Sequence, residues 1–352
     1  MTTVLLPPPS GFLAYCRPGF EAEALADLQA RHGKQGGQDS AAGWVWQARS
    51  PKSSDDEGSW NNSFVFIRQH LPTLGRIALP ERDRLTPIID FLKGYSPVFH
   101  EIWIEYPDTN EGKALSSFAK KFQPYVEKAA RAQGWLQAHG NGPLIRLHLF
   151  FASQNEVFVG LRIARPGDWL CGIPRLRFPS EAPSRSTLKL FEAFITLVDE
   201  PERRLKPGMT GVDLGAAPGG WTYQLVHRGL KVYAIDNGPM KGSMDGHPQV
   251  KHLREDGFRW KPRQPVDWLV CDMVEQPVRI AALIAQWLAS GLARQTVFNL
   301  KLPMKKRHTE VERCLQLIRD ALDDAGLRYR IRARHLYHDR EEITCYIRVG
   351  KD

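Results

Sequence analysis

The chain has 352 residues, with 48 Lys and Arg against 39 Asp and Glu and a formal net charge of +9. That length suits two or three domains at about 150 residues each, and the charge favours a polyanionic partner without requiring one. Its five cysteines (Cys16, Cys171, Cys271, Cys314 and Cys345) are odd in number, scattered and never in a C-x-x-C pair, which argues against a disulfide framework and a zinc site.

The first nine residues carry no basic start and are interrupted by Pro7, Pro8 and Pro9, so they do not read as a secretory signal, and no stretch approaches membrane-spanning length. The expectation is a soluble, cytoplasmic protein without a metal. Its oligomeric state is left open, with a monomer favoured.

From Gly11 to about Phe66 the pattern is a small α/β unit. Apolar residues 12–16 lead through Arg17-Pro18-Gly19-Phe20 into an Ala/Leu/Glu-rich helix over 21–31, and Trp44-Val45-Trp46 and residues 64–67 read as short strands. Polar breaks at 33–43 and 51–62 flank the first of these. Further on, Thr86-Pro87-Ile88-Ile89 opens a helix, 100–106 alternates as a strand, 112–134 is helical despite Pro124, and 144–151 is a strand. Residues 165–188 change character, with Pro166, Pro174, Pro179 and Pro183 marking a connector.

From Lys189 onward β-α units repeat, with strands near 209–214, 231–236, 250–255, 267–272 and 296–301. A helix over about 308–325 then precedes two alternating segments, 329–337 and 343–349. Parallel strands need crossover helices, whereas the short turn at 338–342 makes the final pair an antiparallel hairpin. The expected fold is α/β: a doubly wound, Rossmann-like domain over 189–352 that ends in a hairpin, preceded by α/β segments over 1–70 and 71–165 and a linker over 166–188.

The most informative stretch is Asp213-Leu214-Gly215-Ala216-Ala217-Pro218-Gly219-Gly220-Trp221. A strand ends in Asp213, and Gly215, Gly219 and Gly220 let the backbone turn sharply and approach a ligand before a helix begins. It departs from the dinucleotide pattern G-x-G-x-x-G, because Ala217 and Pro218 stand where a glycine leaves room for a pyrophosphate. A ligand without phosphates fits better, and Asp236, which closes the next strand, can accept hydrogen bonds from ribose hydroxyls. S-adenosyl-L-methionine is the obvious candidate.

In such a sheet, ligands sit beyond the carboxyl ends of the strands, so polar residues that end apolar runs are the ones to question. Asp272 ends Trp268-Leu269-Val270-Cys271, and Lys301 ends Val297-Phe298-Asn299-Leu300. Glu342 begins the final antiparallel strand at the same edge, and Lys189 lies at the entry to the helix before the first strand. A lysine closing a buried strand is otherwise explained by a structural ion pair with an aspartate such as Asp272.

Residues 184–349 resemble the FtsJ-like ribose 2′-O-methyltransferases, whose Lys-Asp-Lys-Glu tetrad is matched by Lys189, Asp272, Lys301 and Glu342. The likeness is closer to bacterial members that methylate the 2′-hydroxyl of a cytidine in 23S ribosomal RNA. It rests on long strings such as Glu181-Ala182-Pro183-Ser184-Arg185-Ser186-Thr187-Leu188-Lys189-Leu190, Phe298-Asn299-Leu300-Lys301-Leu302-Pro303-Met304-Lys305-Lys306 and Leu336-Tyr337-His338-Asp339-Arg340-Glu341-Glu342. Cys16-Arg17-Pro18-Gly19-Phe20-Glu21 and Asp108-Thr109-Asn110-Glu111 carry a looser likeness upstream, which implies a ferredoxin-like segment followed by a THUMP RNA-binding domain. The resemblance also implies S-adenosyl-L-methionine contacts at Ser184, Ala217, Pro218, Gly219, Gly220, Asp236, Asp256 and Asp272, and Gly215 and Trp221, which bound the glycine loop, are candidates with them.

Under that resemblance the task is to align a ribose oxygen with a sulfonium methyl and remove one proton. Lys301 is then the general base or proton steerer, its charge opposed by burial and by Lys189, while Asp272 and Glu342 orient it. Lys305, Lys306, Arg307 and His308 near the site, Arg328, Arg330, Arg332, Arg334 and His335 on one late strand, and Lys120 and Lys121 upstream would ordinarily decorate solvated faces, and beside a ribose-modifying site they become candidate phosphate contacts. The implied partner is 23S ribosomal RNA before the subunit is fully assembled. Alternatives are methylation of another structured RNA, a non-catalytic RNA-binding assembly factor, and a nicotinamide-dependent dehydrogenase, the last disfavoured by the missing glycine pattern.

Overall fold

The computed structural model describes residues 6–34, 36–49, 64–165 and 167–350, which form two compact units. The polar break expected at 51–62 and the start of the N-terminal run lie outside the described residues. The first unit takes in the chain up to Pro174 apart from a short excursion around Phe64 and Val65, and the second runs from Arg175.

The first unit is built on seven strands. In chain order they are β1 (Gly11–Tyr15), β2 (Gln38–Ala41), β3 (Trp44–Ala48), β4 (Gln69–Ala78), β5 (Glu101–Glu105), β6 (Ile145–Ser153) and β7 (Glu156–Ile163), with helices α1 (Glu21–His32), α2 (Leu85–Lys93) and α3 (Asn110–Ala132). The sheet order is β2-β3-β1-β4-β7-β6-β5, so β1 pairs with β4 and the sheet continues through both upstream segments. The boundary expected at residue 70 falls inside β4.

Residues 64–67, expected as a strand, are buried bends with no strand pairing. A short apolar run buried on all sides looks the same in sequence whether or not it joins a ladder, and here the Phe66 N–H donates to the Asp27 carboxylate at 2.6 Å. The polar strand β2 was expected as a break; it is an exposed edge strand and carries no apolar periodicity. The expected connector is also not slack throughout. Asp168 pairs with Arg162 (2.6 Å) and Arg146 (3.3 Å), and the Cys171 N–H donates to buried Glu105 at 2.8 Å.

The second unit contains α4 (Thr187–Thr196), α5 (Pro201–Arg204), β8 (Thr210–Leu214), α6 (Gly220–Val226), β9 (Lys231–Ile235), β10 (Val250–Leu253), β11 (Val266–Cys271), α7 (Pro277–Ala289), β12 (Ala293–Lys301), α8 (Arg307–Asp324), β13 (Tyr329–Arg334) and β14 (Glu342–Val349). Its sheet order is β10-β9-β8-β11-β12-β14-β13; the first five strands are parallel and the hairpin β13-β14 is antiparallel. This is the expected Rossmann-like sheet with a terminal hairpin.

From β8 the chain winds outward to β9 and β10, then returns to β11 and winds the other way. The crevice between the carboxyl ends of β8 and β11 is therefore the switch point at which such sheets bind ligands. Phe194, Trp268, Val270, Val297 and Tyr346 belong to the core beneath it, each at most 5% exposed. Among the described residues no helix is long and apolar enough to cross a membrane.

Candidate active site

Both strands at the switch point end in the residues that matter. β8 ends in Asp213-Leu214 and turns at Gly215, whose φ of 76° is left-handed; a Cβ there would stand 2.6 Å from Met273 Cγ. Gly219 has φ 113°, and its Cβ would meet Met240 Cε and Met244 Cβ at 2.9 Å. Other residues are strained at such angles and find no space. The peptide between Ala217 and Pro218 is cis.

Asp236, at the end of β9, accepts the N–H of Ala217 at 3.0 Å on one oxygen and that of Gly238 at 2.7 Å on the other. It braces the glycine loop and retains lone pairs for further hydrogen bonds. Ser184 and Ser186 lie 2.6 Å apart through their hydroxyls, and a Cβ at Gly220 would strike both. Asp256 lies in the exposed turn after β10, where it accepts the Phe258 N–H at 2.8 Å. Trp221 is only 3% exposed and donates its indole N–H to the Ser186 carbonyl at 3.1 Å, so its ring anchors the serine turn.

The four tetrad residues meet at this edge. Lys189 Nζ lies 2.5 Å from Glu342 Oε1 and 3.5 Å from Asp272 Oδ2, while Lys301 Nζ lies 2.6 Å from Asp272 Oδ1 and 3.9 Å from Glu342 Oε2. Two cations and two anions alternate, so the formal charges cancel. Each sits where the backbone dictates: Lys301 and Glu342 are opposite one another at the end of the β12-β14 ladder, and Lys189 is in the first turn of α4.

Burial disfavours the charge on Lys189, but Asp272 and Glu342 outweigh that and hold its pKa above the usual lysine value. Burial likewise pushes Glu342 up, yet the bond from Lys189, the charge of Lys301 and the Arg340 N–H bring it below the usual carboxylate value. Lys189 is thus a fixed cation bound tightly to Glu342. Lys301, the more exposed of the two side chains, approaches only Asp272 closely.

Residues not singled out in the sequence complete the site. Asn299 is fully buried and donates from Nδ2 to Asp272 Oδ1 at 2.9 Å, while its Oδ1 accepts the Thr344 hydroxyl at 2.8 Å. Thr344 Oγ1 is also 2.9 and 3.0 Å from the oxygens of Asp339, whose carboxyl is pushed well above the usual range by burial. Asn299 is two residues before Lys301, on the same face of the strand by period-two alternation, a placement readable from sequence.

On β13, Arg330 and Arg332 both pair with Asp199 at 2.5 Å, and His335, just beyond the strand, is fully buried. That row is partly internal structure. Arg307 pairs with Glu341 at 3.0 Å, whereas Lys305, Lys306, Lys120 and Lys121 are exposed.

Comparison with known proteins gives the family of the chain. A family model described as FtsJ-like methyltransferase matches residues 182–323, and one described as Ribosomal RNA large subunit methyltransferase M, N-terminal, matches 83–163. A Laribacter hongkongensis protein named Ribosomal RNA large subunit methyltransferase M is 50% identical over 345 residues, covering 96% of each chain. The chain belongs to the ribosomal RNA large subunit methyltransferase M family. Proteins of that name from Methylococcus capsulatus (46% identical, covering 97% of this chain and 99% of that one) and Pseudomonas putida (46%, covering 95% and 96%) are similar throughout. The likeness thus spans both units of this family member.

Proposed function

We propose that this chain transfers a methyl group from S-adenosyl-L-methionine to the ribose 2′-oxygen of a cytidine in 23S ribosomal RNA. The observation that carries this reading is the charge-neutral square of Lys189, Asp272, Lys301 and Glu342 at the switch point, beside the glycine loop.

The glycine loop suits the methyl donor: close backbone approach without phosphate-binding geometry, Asp236 for ribose hydroxyls, and the buried Asp213 Oδ1, which has no hydrogen-bond partner among the described residues. Ser184, Gly215, Ala217, Pro218, Gly219, Gly220, Asp236, Asp256 and Asp272 would hold it, with Trp221 contributing through its backbone. The donor supplies a methyl already activated on a sulfonium. Lys301, as the free amine, accepts the 2′-hydroxyl proton as the oxygen–carbon bond forms and the sulfur–carbon bond breaks. Asp272, oriented by Asn299, fixes the direction of Nζ. Lys189 stays charged and holds Glu342 in place.

The upstream sheet is assigned to a ferredoxin-like segment and a THUMP domain that meet at β4, with 189–352 as the catalytic domain. The exposed Lys120 and Lys121 on α3 suit phosphate contact. The complete tetrad favours catalysis over a silent assembly factor. Access favours RNA before complete subunit assembly, because a nucleotide must be splayed out beside a 40.0 kDa protein.

The test supplies labelled methyl donor to protein-free 23S RNA and to mature large subunits, both from cells lacking the enzyme, and maps blocked 2′-hydroxyls. Labelling of a cytidine ribose, much stronger in free RNA, is expected. Label on a base would overturn the ribose assignment, and the opposite substrate ranking would overturn the assembly stage.

A further inference from the structure

Among the described residues of the second unit, two large apolar side chains are almost fully exposed, Val274 at 90% and Met304 at 92%; Phe178 follows at 39%. A single exposed apolar residue is unremarkable, but these two share a location. Val274 is two residues beyond Asp272 in the loop after β11, and Met304 is three beyond Lys301 in the loop after β12. The two strands are paired neighbours, and the Asp272 carboxylate touches the Lys301 ammonium, so both loops leave the sheet from the tetrad itself. At no more than about 3.6 Å per residue, their Cα atoms lie within roughly 7 Å of that of Asp272 and roughly 11 Å of that of Lys301.

Their neighbours point elsewhere. Met273 lies against the positions where Gly215 and Gly257 leave space, within 3.0 Å of a Cβ at either. It turns inward and leaves Val274 outside. Beyond Met304, Lys305 and Lys306 are exposed. Apolar side chains beside ammonium groups complement a flat apolar ring joined to a phosphate, and a methionine sulfur packs well against an aromatic face.

Resting on the reading that a ribose is the methyl acceptor, we propose that Val274 and Met304 form an apolar rim that holds the splayed base of the target nucleotide, with Lys305 and Lys306 beside its phosphates. A 2′-hydroxyl can stay in line with a methyl carbon only if the nucleotide cannot rotate about its backbone, and gripping the base supplies that restraint. Val274 and Met304 are positioning residues.

The test uses the full chain with Val274→Ser/Met304→Ser, Met304→Ser and Met304→Leu, measuring kcat and KM for protein-free 23S RNA at saturating methyl donor. Calorimetry gives donor affinity, and sedimentation gives oligomeric state. The double serine variant should lose on the order of ten-fold in kcat/KM for RNA with donor affinity unchanged, and Met304→Leu should recover most of what Met304→Ser loses. Unchanged RNA kinetics would overturn the proposal. So would weakened donor binding, which would place the loops in the donor site, or altered sedimentation with unaltered RNA kinetics, which would make the rim a contact between copies of the chain. The wild-type product is identified separately: a methylated base there would refute the ribose reading, whatever the loop variants do.

Discussion

Glu192 Oε2 and His338 Nδ1 lie 2.6 Å apart, and the same carboxylate accepts the backbone N–H groups of Tyr337 at 2.8 Å and His338 at 2.9 Å. Glu192 is one turn beyond Lys189 on α4, so the helix that carries one lysine of the site also pins the loop that leads to Glu342. Glu192→Ala removes the acceptor from two backbone donors and a ring nitrogen. It should cost roughly 2–4 kcal/mol of stability and lower kcat, with donor affinity retained. Denaturant unfolding together with single-turnover kinetics checks this; wild-type stability would show that the loop is held by other contacts.

Gly219→Val should abolish donor binding while leaving the chain folded. The branched side chain meets Met240 and Met244 at a backbone angle that such residues rarely adopt, so the loop must move from the position the ligand needs. Calorimetric titration with S-adenosyl-L-methionine is the measurement, and unchanged affinity would remove the loop from the binding site.

Asp213 gives the fold a specific pH dependence. Burial pushes its carboxyl up to about 7, against the hydrogen bond from Thr222 and with Asp272 and Asp236 adding to the rise. In an unfolded chain the value is about 3.9, so the native state holds the proton more tightly between those limits. Stability is then greatest at the acid side of the window and declines as pH rises from about 4 to about 7, with the penalty persisting above it. At about 1.4 kcal/mol per unit, a few kcal/mol are at stake. Asp213→Asn should flatten the dependence of ligand-free Tm on pH and melt higher than wild type at pH 8; parallel profiles for the two proteins would contradict this.

The parallel sheet, the hairpin and the polar ends of β8, β9, β11 and β12 were legible because each follows from short-range pattern: apolar runs, a Gly/Pro turn, a loop too short for a crossover. Glu342 was legible from the antiparallel direction of the final strand and Lys189 from its place at a helix entry, while their grouping with Asp272 and Lys301 as a tetrad came from the family resemblance. Glu192 and Asn299 escaped notice because their roles depend on which segment packs opposite, and a single buried polar residue in an apolar run does not name its partner. The pairing of Arg330 and Arg332 with Asp199 was hidden for the same reason. So was the inward turn of Trp221, whose indole finds its acceptor 35 positions away at Ser186.

Asn299→Ala should lower kcat on the order of ten-fold or more through misorientation of Asp272, with KM for RNA little changed. Asn299→Asp places a second carboxylate against Asp272 and should fail more completely. Single-turnover rates and RNA KM distinguish these outcomes from simple unfolding, which would reduce the active fraction without changing the rate of the remainder.

The most direct test of the account compares wild type, Lys301→Ala and Lys301→Arg in transfer of labelled methyl to protein-free 23S RNA, with digestion to nucleosides and parallel measurement of donor affinity. Wild type should yield labelled 2′-O-methylcytidine. Both variants should yield none while binding S-adenosyl-L-methionine within a few-fold of wild type, because alanine removes the proton acceptor and a guanidinium does not give up its proton. Wild-type turnover by either variant would contradict the role of Lys301.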